Sequence, residues 1–342
     1  MPSGNDLFNH PFSHIYVEKA ASDHPLTQAI LARFSKSVII PVGHYKDVFN
    51  RPRQNFGIQK QSQALILAKN RGASIFPGAP VCQDFGYDHF YYASSIRNCI
   101  FDCDYCFLKG MYGSGNIVVF VNLEDTFSEL EKLLAEHPVY LCISYDTDLI
   151  ALESLTGFTS RWIEFTRTHK DLTIEIRTKS FRKDIYDKTE PCDRVIFAYT
   201  ISPRSIIERY ESKTATLSER IAAASYAMAK GFPVRLCFDP IIYCKDWKDA
   251  YSSMIQEVSE NIDMHQLKDV SIGSFRIPSD YIHKLRRDFP SSPVCQFPYE
   301  NINGVFQYPE KIRAGMEDYL GSLLQNLISK DRIYKIDTNQ VP

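Results

Sequence analysis

Three cysteines stand close together in the stretch SSIRNCIFDCDYCFLKGMYG, residues 94–113. Cys99, Cys103 and Cys106 follow the spacing C-x3-C-x2-C. A disulfide would leave one thiol over, and a tetrahedral structural zinc site usually takes four ligands in two close pairs. Three thiolates suit a cuboidal iron-sulfur cluster better, because each sulfur binds one iron and the remaining iron keeps an open coordination position. The alternatives are a zinc site completed by a distant ligand and a loop of incidental apolar cysteines.

The composition limits which kinds of protein can carry this loop. The 342 residues are 44% hydrophobic and 23% charged, so the chain can bury a large core. The net charge of -2 gives no general attraction to nucleic acid, and a DNA partner would need a local basic face. The N-terminus has no basic segment followed by an apolar run, and no long apolar stretch occurs. We therefore expect a cytoplasmic protein without a membrane partner.

The elements that must position the cysteines alternate along the chain. Short apolar runs rich in Val, Ile, Tyr and Phe predict strands, and segments with helical apolar spacing lie between them. The predicted strands are HFYYASSI, NIVVFVNL, VYLCISY, LTIEIRT, RVIFAYTI, FPVRLCFDPII and DVSIGSF. This alternation favours an α/β fold with a partial (β/α)6-type barrel of parallel strands. The cysteines directly follow the first barrel strand, where the loops of such barrels carry the chemistry.

Three regions are expected along the chain. Residues 1–85 predict a small N-terminal α/β subdomain, and residues 86–290 predict the partial barrel. Residues 291–342 contain Asn-Gly between two aromatic-rich runs, which predicts a β-hairpin, and then a final helix in IRAGMEDYLGSLLQNLI.

The cysteine spacing after a first barrel strand resembles that of the radical S-adenosylmethionine (SAM) superfamily. This resemblance implies a [4Fe-4S] cluster whose unique iron chelates SAM, and one-electron cleavage of SAM to methionine and a 5'-deoxyadenosyl radical. A narrower resemblance, to the spore photoproduct lyase family, rests on ordered motifs that include HYKDVFNRPRQNF, ISYDTDL, IRTK, FAYTIS, YESKTATLSERIAAA and DPIIYCKDW.

The narrower resemblance implies a DNA-repair lyase that reverts 5-thyminyl-5,6-dihydrothymine to two thymines. Its implied partners are UV-damaged DNA and a reducing electron-donor protein, and the oligomeric state stays open. Two other hypotheses also stay open. One is a radical SAM enzyme of the same architecture that acts on another substrate, and the other is a non-catalytic iron-sulfur or zinc protein.

The family resemblance also implies roles for single residues around the cofactor. These residues are Tyr105, Thr147, Lys179, Thr200, Ser202 and Asp239. Lys179 corresponds to the lysine expected to meet the SAM carboxylate, and an ammonium that faces the barrel can pair with that carboxylate as a point charge. Thr200 and Ser202 differ by two, so on a strand they share a face. Asp239 matches a position near the adenosine, where the family residue is small.

The chain departs from the family pattern at the hydrogen donor. The family usually has a cysteine that gives a hydrogen atom to the thymine radical, and Tyr145 stands in the matching frame. Phe107 replaces a second tyrosine after the last cluster cysteine. A phenolic O–H can give up a hydrogen atom, so Tyr145 is the expected catalytic donor, and Tyr105 is expected to restore it. Cys142 would point to the opposite face of a continuous strand, toward the helices, and Cys237 is the fallback donor.

Contacts to DNA are expected from two groups of residues. The predicted hairpin lacks the arginine that the family inserts into the duplex, but its aromatic residues could stack on bases: Tyr299, Phe306 and Tyr308. The basic residues that could meet phosphates are Arg51, Arg53, Arg276, Lys284, Arg286 and Arg287.

Overall fold

The computed structural model describes residues 12–336, in which strands and helices alternate. The strands are β1 His14–Glu18, β2 Val38–Val42, β3 Leu65–Ala68, β4 Ile75–Pro77, β5 Phe90–Ala93, β6 Ile96–Arg97, β7 Asp102–Cys103, β8 Ile117–Phe120, β9 Val139–Cys142, β10 Leu172–Thr178, β11 Val195–Thr200, β12 Glu211–Ser212, β13 Val234–Ile241, β14 Asp269–Ser274, β15 Arg276–Pro278, β16 Glu300–Ile302, β17 Val305–Gln307 and β18 Ile333–Lys335.

Helices connect most of these strands. The α-helices are α1 Pro25–Arg33, α2 Lys46–Phe49, α3 Phe56–Gln61, α4 Leu108–Met111, α5 Leu123–Leu134, α6 Glu153–Thr156, α7 Phe158–Thr168, α8 Asp184–Lys188, α9 Arg204–Tyr210, α10 Leu217–Ala229, α11 Trp247–Asn261, α12 Ser279–Asp288, α13 Pro293–Gln296 and α14 Glu310–Gln325. Short 3-10 helices cover Lys19–Ala21 and Lys330–Arg332. Within residues 12–336, no helix has the length and hydropathy needed to cross a membrane.

The first large sheet has five strands in the order β2-β1-β3-β8-β6. Strands β1, β2, β3 and β8 are parallel, and β6 is antiparallel at one edge. The sequence pattern places Ile117–Phe120 among the barrel strands, but this strand pairs with β3 in the first sheet. That prediction is wrong because a short run of buried Val and Ile suits either sheet, and only long-range pairing decides between them.

The second large sheet has eight strands in the order β18-β14-β13-β11-β10-β9-β5-β4. Strands β5, β9, β10, β11, β13 and β14 are neighbours in chain order and all parallel, which confirms the predicted α/β fold. Strand β18 adds a parallel edge and β4 an antiparallel edge, and neither was expected from the sequence. The division of the chain into three domains stays a prediction.

The two faces of β10 show how the sequence builds the barrel. Leu172, Ile174 and Ile176 are fully buried in the main hydrophobic cluster, which includes residues of the surrounding helices. Glu175 and Arg177 alternate with them and therefore point to the opposite face, the barrel interior. The interior is thus polar on this strand, although the strand is buried on both sides.

A chain of alternating charges runs through the barrel interior toward the carboxyl ends of the strands. Arg235, near the start of β13, lies 2.5 Å from a Glu175 carboxylate oxygen. Glu175 also accepts from Arg177 at 3.1 Å, and Arg177 lies 3.7 Å from Asp239 near the end of β13. Arg276 completes the chain with a contact of 2.9 Å to Asp239. Each buried charge has an opposite charge beside it, which offsets the cost of desolvation.

The C-terminal region confirms the predicted hairpin and final helix. Asn303 and Gly304 have φ angles of 52° and 83°, as a two-residue hairpin turn of the mirror-image type requires, and they join β16 to β17. Tyr299 and Tyr308 are buried in the core with ring centroids 5.0 Å apart. They are therefore not available to stack on bases. Of the three expected aromatic residues, Phe306 is half-buried and keeps part of its ring exposed.

Candidate active site at the barrel mouth

The cysteine loop follows the first barrel strand and is held by backbone hydrogen bonds. Cys103 in β7 pairs with Glu211 in β12. The Asp104 amide donates to the Tyr210 carbonyl at 2.7 Å, and the Cys106 amide donates to the Cys103 carbonyl at 3.2 Å. The loop is therefore fixed against a segment more than a hundred residues away in sequence.

In this loop Cys103 is buried, and Cys99 and Cys106 are half-buried. Burial raises the pKa of Cys99 to about 12 and that of Cys103 to about 11. The carboxylate of Asp148 also raises the pKa of Cys99, whereas the ammonium of Lys179 opposes the rise at Cys103. The free thiols of Cys99 and Cys103 are thus protonated at neutral pH, and a metal must displace their protons when it binds.

The donor set of the loop consists of three thiols. Across residues 12–336, no three His, Cys, Asp or Glu side chains are grouped as the ligands of one metal ion would be. A cuboidal cluster attaches each thiolate to a different iron, so three cysteines are the ligands that such a cluster takes when one iron keeps an open position.

Lys179 lies directly after β10 and reaches the cysteine loop. Its ammonium is 3.9 Å from Cys103 Sγ and 5.0 Å from the centre of the Tyr105 ring. Its amide donates to Asp148 at 2.7 Å, which fixes the backbone. Burial lowers the pKa of Lys179, but Cys103 and Glu211 raise it, and the net shift is upward. A fixed positive charge therefore stands beside the loop, where an anionic ligand group could pair with it.

Glu211 joins several of the predicted site residues. It accepts a hydrogen bond from the Tyr105 hydroxyl and another from Ser202 Oγ at 2.9 Å. Arg220 forms a fully buried ion pair with it at 2.5 Å and donates to the Thr200 carbonyl at 3.0 Å. Burial raises the pKa of Glu211, but Arg220 and Lys179 lower it more, to about 2. Tyr105 and Ser202 are thus held by one ionised carboxylate, and Thr200 is held by the arginine that pairs with it.

Sequence reasoning did not place Glu211 and Arg220 in the site. Neither residue caps α10, because Thr216 and Glu219 form the capping box at the start of that helix. A signal was present, because Arg220 lies on the apolar face of the predicted helix with Leu217. A buried arginine needs a buried acid, which would have identified Glu211.

Thr147 is the one predicted site residue with an unsatisfied side chain. It is 7% exposed, and its hydroxyl has no hydrogen-bond partner within residues 12–336. The next residue, Asp148, binds the Lys179 amide. Buried hydroxyls normally find partners, so an orphaned one beside the Lys179 backbone fits a site for a polar ligand.

Asp239 lies on the same end of the barrel but its carboxylate is already engaged. Arg276 donates two hydrogen bonds to it, of 2.9 and 3.1 Å, and the Arg177 guanidinium lies 3.7 Å from it. Burial raises the pKa of Asp239, but Arg276 lowers it more, so that the net shift is downward. Its predicted contact with the adenosine stays a prediction, and its observed role is to hold two arginines at the barrel mouth.

Tyr145 lies in a loop after β9, among aromatic rings and one cysteine. Its ring stacks on Tyr92 with centroids 4.3 Å apart and lies 5.2 Å from Phe107. Its hydroxyl lies near Cys82. Burial raises the pKa of Cys82, and this effect exceeds the opposing effects of Arg276 and Tyr145. The half-buried Cys82 therefore keeps its S–H hydrogen at neutral pH.

Sequence reasoning missed Cys82 because it lies outside every motif and 63 positions before Tyr145. The structure brings the two together through Arg276, which donates to the carbonyl of Val81 at 2.7 Å. Nothing in the local pattern marks this contact, since it depends on the long-range folding of residues 78–89.

The predicted orientation of Cys142 is wrong. Its sulfur lies 4.0 Å from Glu175 in the barrel interior rather than against the helices. The strand parity argument fails because β9 ends at Cys142, so Tyr145 lies in a loop and no longer follows the alternation. Cys237 is also buried in the interior, beside Arg177.

Several basic residues expected at phosphates bind protein groups instead. Arg276 is engaged by Asp239, and Arg286 donates to the Cys295 and Phe297 carbonyls. Lys284 donates to the Tyr112 carbonyl. Arg51 and Arg53 are exposed and remain candidates for contact with a polyanion.

Comparisons with known proteins identify relatives over most of the chain. The spore photoproduct lyase family model matches residues 11–277. The spore photoproduct lyase of Geobacillus sp. (strain Y412MC61) is 22% identical over 266 residues, which cover 75% of this chain and 76% of that protein. The spore photoproduct lyase of Clostridium acetobutylicum is 21% identical over 291 residues, 83% of this chain and 84% of that protein.

Solved structures share the fold. A spore photoproduct lyase mutant with dinucleoside spore photoproduct has a TM-score of 0.81 at 19% identity and covers 96% of this chain and 99% of its own. A second mutant, with bound AdoMet and dinucleoside spore photoproduct, has a TM-score of 0.79 at 18% identity and covers 96% of this chain and 98% of its own. The match extends over most of the residues described above, and the chain belongs to the spore photoproduct lyase family.

Proposed function

We propose that this chain is a radical SAM lyase that reverts the spore photoproduct, 5-thyminyl-5,6-dihydrothymine, to two thymines in damaged DNA. The observation that carries the proposal is the placement of Cys99, Cys103 and Cys106 at the barrel mouth, with Lys179 beside Cys103. The spore photoproduct lyase family match and the structural relatives with bound AdoMet and dinucleoside spore photoproduct support the same conclusion.

The residues at the mouth fit a [4Fe-4S] cluster and SAM. Cys99, Cys103 and Cys106 would bind three irons, and SAM on the fourth would supply a 5'-deoxyadenosyl radical on one-electron reduction. The Lys179 ammonium would pair with the SAM carboxylate, and Thr147 could give its unpaired hydroxyl to a polar group of the ligand. Glu211 would keep Tyr105 in place beneath the cofactor.

The opposite side of the mouth would receive the lesion. Arg177 is 30% exposed at its side chain and lies among interior carboxylates, while Tyr145, Tyr92 and Phe107 form an aromatic surface beside Cys82. The two joined thymines need such a pocket, because the lesion must leave the helical stack to reach the reacting atoms.

The hydrogen atom that completes the repair would come from Cys82. Cys82 would give its S–H hydrogen to the thymine methyl radical as the C–H bond forms, and the Tyr145 hydroxyl would give a hydrogen atom to the resulting thiyl radical. A hydrogen atom from the 5'-deoxyadenosine that the cofactor supplies would restore the Tyr145 O–H, so that the transfers balance. This scheme differs from the sequence prediction, in which Tyr145 gives its hydrogen atom directly to the thymine radical and Tyr105 restores it.

Repair of a synthetic lesion tests the function. Anaerobically reconstituted protein is incubated with dithionite, SAM and dinucleoside spore photoproduct, and the products are separated by chromatography. We expect thymidine dinucleotide to appear with the lesion consumed, and no conversion by Cys103→Ala. Cleavage of SAM without conversion of the lesion would indicate the same architecture acting on another substrate. Absence of both iron and SAM cleavage would contradict the proposal altogether.

A further inference from the structure

A second lysine lies against the cysteine loop and has no role in the scheme above. Lys60 is on α3, is 3% exposed, and its ammonium donates to the Cys99 carbonyl at 2.5 Å. Within residues 12–336, Lys60 forms no ion pair with a carboxylate, and Asp102, which interacts with it electrostatically, is bound by Lys109 at 2.9 Å. Burial lowers the pKa of Lys60, and the negative charges of Cys99, Asp102 and Cys106 oppose this effect without cancelling it.

A buried ammonium without an acid is costly, so its surroundings must contain other negative charge. The groups that interact electrostatically with Lys60 are Cys99, Asp102, Cys106 and Lys213. Two of these are predicted cluster ligands. Three thiolates on a [4Fe-4S] core carry a net negative charge, and reduction adds one more electron. Such a site would supply the charge that Lys60 lacks among the described acids.

The position of Lys60 is fixed by its neighbours on α3. Gln59 accepts from the Gly115 amide at 2.7 Å, and a Cβ at Gly115 would lie 2.8 Å from the Phe56 carbonyl. On the other side, the Lys213 ammonium donates to the Lys60 carbonyl at 2.8 Å. The helix is thus packed closely against the segment that follows the cysteine loop, and the ammonium cannot move away without losing these contacts.

We propose that the positive charge of Lys60 favours the reduced state of the cluster. The reduced cluster carries one more negative charge than the oxidised cluster, so a fixed positive charge beside Cys99 stabilises it more. Lys179 is expected to pair with the SAM carboxylate, whereas Lys60 contacts the loop at the Cys99 carbonyl and has no such partner in this scheme. This inference rests on the proposed iron-sulfur cluster.

Potentiometric titration tests the role of the charge. The full chain is reconstituted anaerobically without SAM, and the reduced cluster is measured by EPR at set potentials. Lys60→Gln keeps an N–H donor for the Cys99 carbonyl but removes the charge. We expect about a tenfold lower ratio of reduced to oxidised cluster at a fixed potential, which is a midpoint about 59 mV lower. Lys60→Arg should stay within about twofold of the parent ratio, because it keeps the charge.

Two comparisons make the test decisive. Lys213→Gln removes a charge that donates to the Lys60 carbonyl rather than to the cysteine loop. It should shift the midpoint less than Lys60→Gln. An unchanged midpoint in Lys60→Gln, or an equal shift in Lys60→Arg, would overturn the inference and leave Lys60 a structural donor only. If the parent itself binds no cluster, the proposed function fails rather than this inference. If Lys60→Gln loses iron, Lys60→Met and Lys60→Arg are compared by iron content, and equal loss in both would also overturn it.

Discussion

The two sides of the barrel mouth are assembled in different ways. On the cofactor side, Cys99, Cys103, Cys106 and Tyr105 come from one short loop, and Lys179 approaches them from the next strand but one. On the lesion side, the contacts join distant segments, as when Arg276 binds both Asp239 and the Val81 carbonyl. A local spacing can identify the first side, whereas the second exists only after the chain has folded.

The largest effect on the cofactor side is expected from replacing one of the three loop cysteines. Alanine at Cys99, Cys103 or Cys106 should abolish both the brown colour and SAM cleavage, because each iron of the cluster needs its own soft ligand. Iron content, visible absorption and 5'-deoxyadenosine formation measure the effect.

Two other cysteines serve as controls for this loss. Cys192→Ala should keep the cluster, since Cys192 lies outside the loop. Cys295→Ala is the stricter control, because the Cys295 thiol donates to the carbonyl of Asp104 inside the loop at 3.8 Å. A variant without Cys103 that cleaved SAM at the parent rate would refute the ligand assignment.

On the lesion side, replacing Cys82 should change the repair products without affecting the cluster. Cys82→Ala should still cleave SAM, but the thymine radical should give side products instead of clean repair, because the final C–H bond lacks its hydrogen source. Tyr145→Phe should do the same more weakly, since the Cys82 thiol remains for a first turnover. Product analysis by mass spectrometry in deuterated and ordinary buffer distinguishes the two variants.

Cys142→Ala is the matched control on this side. Cys142 is buried in the barrel interior near Glu175, so its loss should leave the product distribution unchanged. Clean repair by Cys82→Ala together with side products from Cys142→Ala would exchange their roles.

The contrast between the two sides also explains what the sequence could predict. The hairpin turn at Asn303 is determined by neighbours in sequence and was predicted. The Thr216 cap of α10 is equally local, because it is completed by Glu219 three residues later. The strand Ile117–Phe120 was assigned to the wrong sheet because its partner lies some fifty residues earlier.

Cys142 was misplaced for a related reason. The alternation of side chains holds only while a strand continues, and the point where β9 ends depends on its pairing with β10 through Glu175. The contact of Cys82 with Tyr145 had no local signal at all. Long-range pairing thus decides the parts that the sequence could not predict.

The buried carboxylate that ties the cofactor side together should matter mainly for stability. Glu211→Gln should lower the free energy of unfolding by about 3–5 kcal/mol, because it leaves Arg220 buried without a counter-charge. The Glu211 pKa is lowered to about 2, from an ordinary value of 4.5. Its contribution is therefore complete above pH 4.5 and is lost as the pH falls toward 2.

Urea unfolding of the parent and Glu211→Gln at several pH values tests this. The difference between them should hold from pH 7 to 4.5 and shrink below. Glu208→Gln, one turn earlier on the exposed face of α9, is the matched control and should leave stability nearly unchanged. A constant difference down to pH 3 would mean that the carboxylate is not ionised by its partners.

The smallest effect expected on the cofactor side separates binding from cluster assembly. Lys179→Ala should weaken SAM binding by about 1.5–3 kcal/mol, the range for a charge-assisted hydrogen bond, while the cluster survives. Lys179→Arg should recover part of the loss, because it keeps the charge but not the point geometry of the ammonium. Calorimetric titration of the reconstituted protein with SAM measures both. Equal affinity in Lys179→Ala and the parent would show that the ammonium beside Cys103 does not meet the SAM carboxylate. On the cofactor side too, the role of a single residue could then not be assigned from a motif, as is already the case on the lesion side.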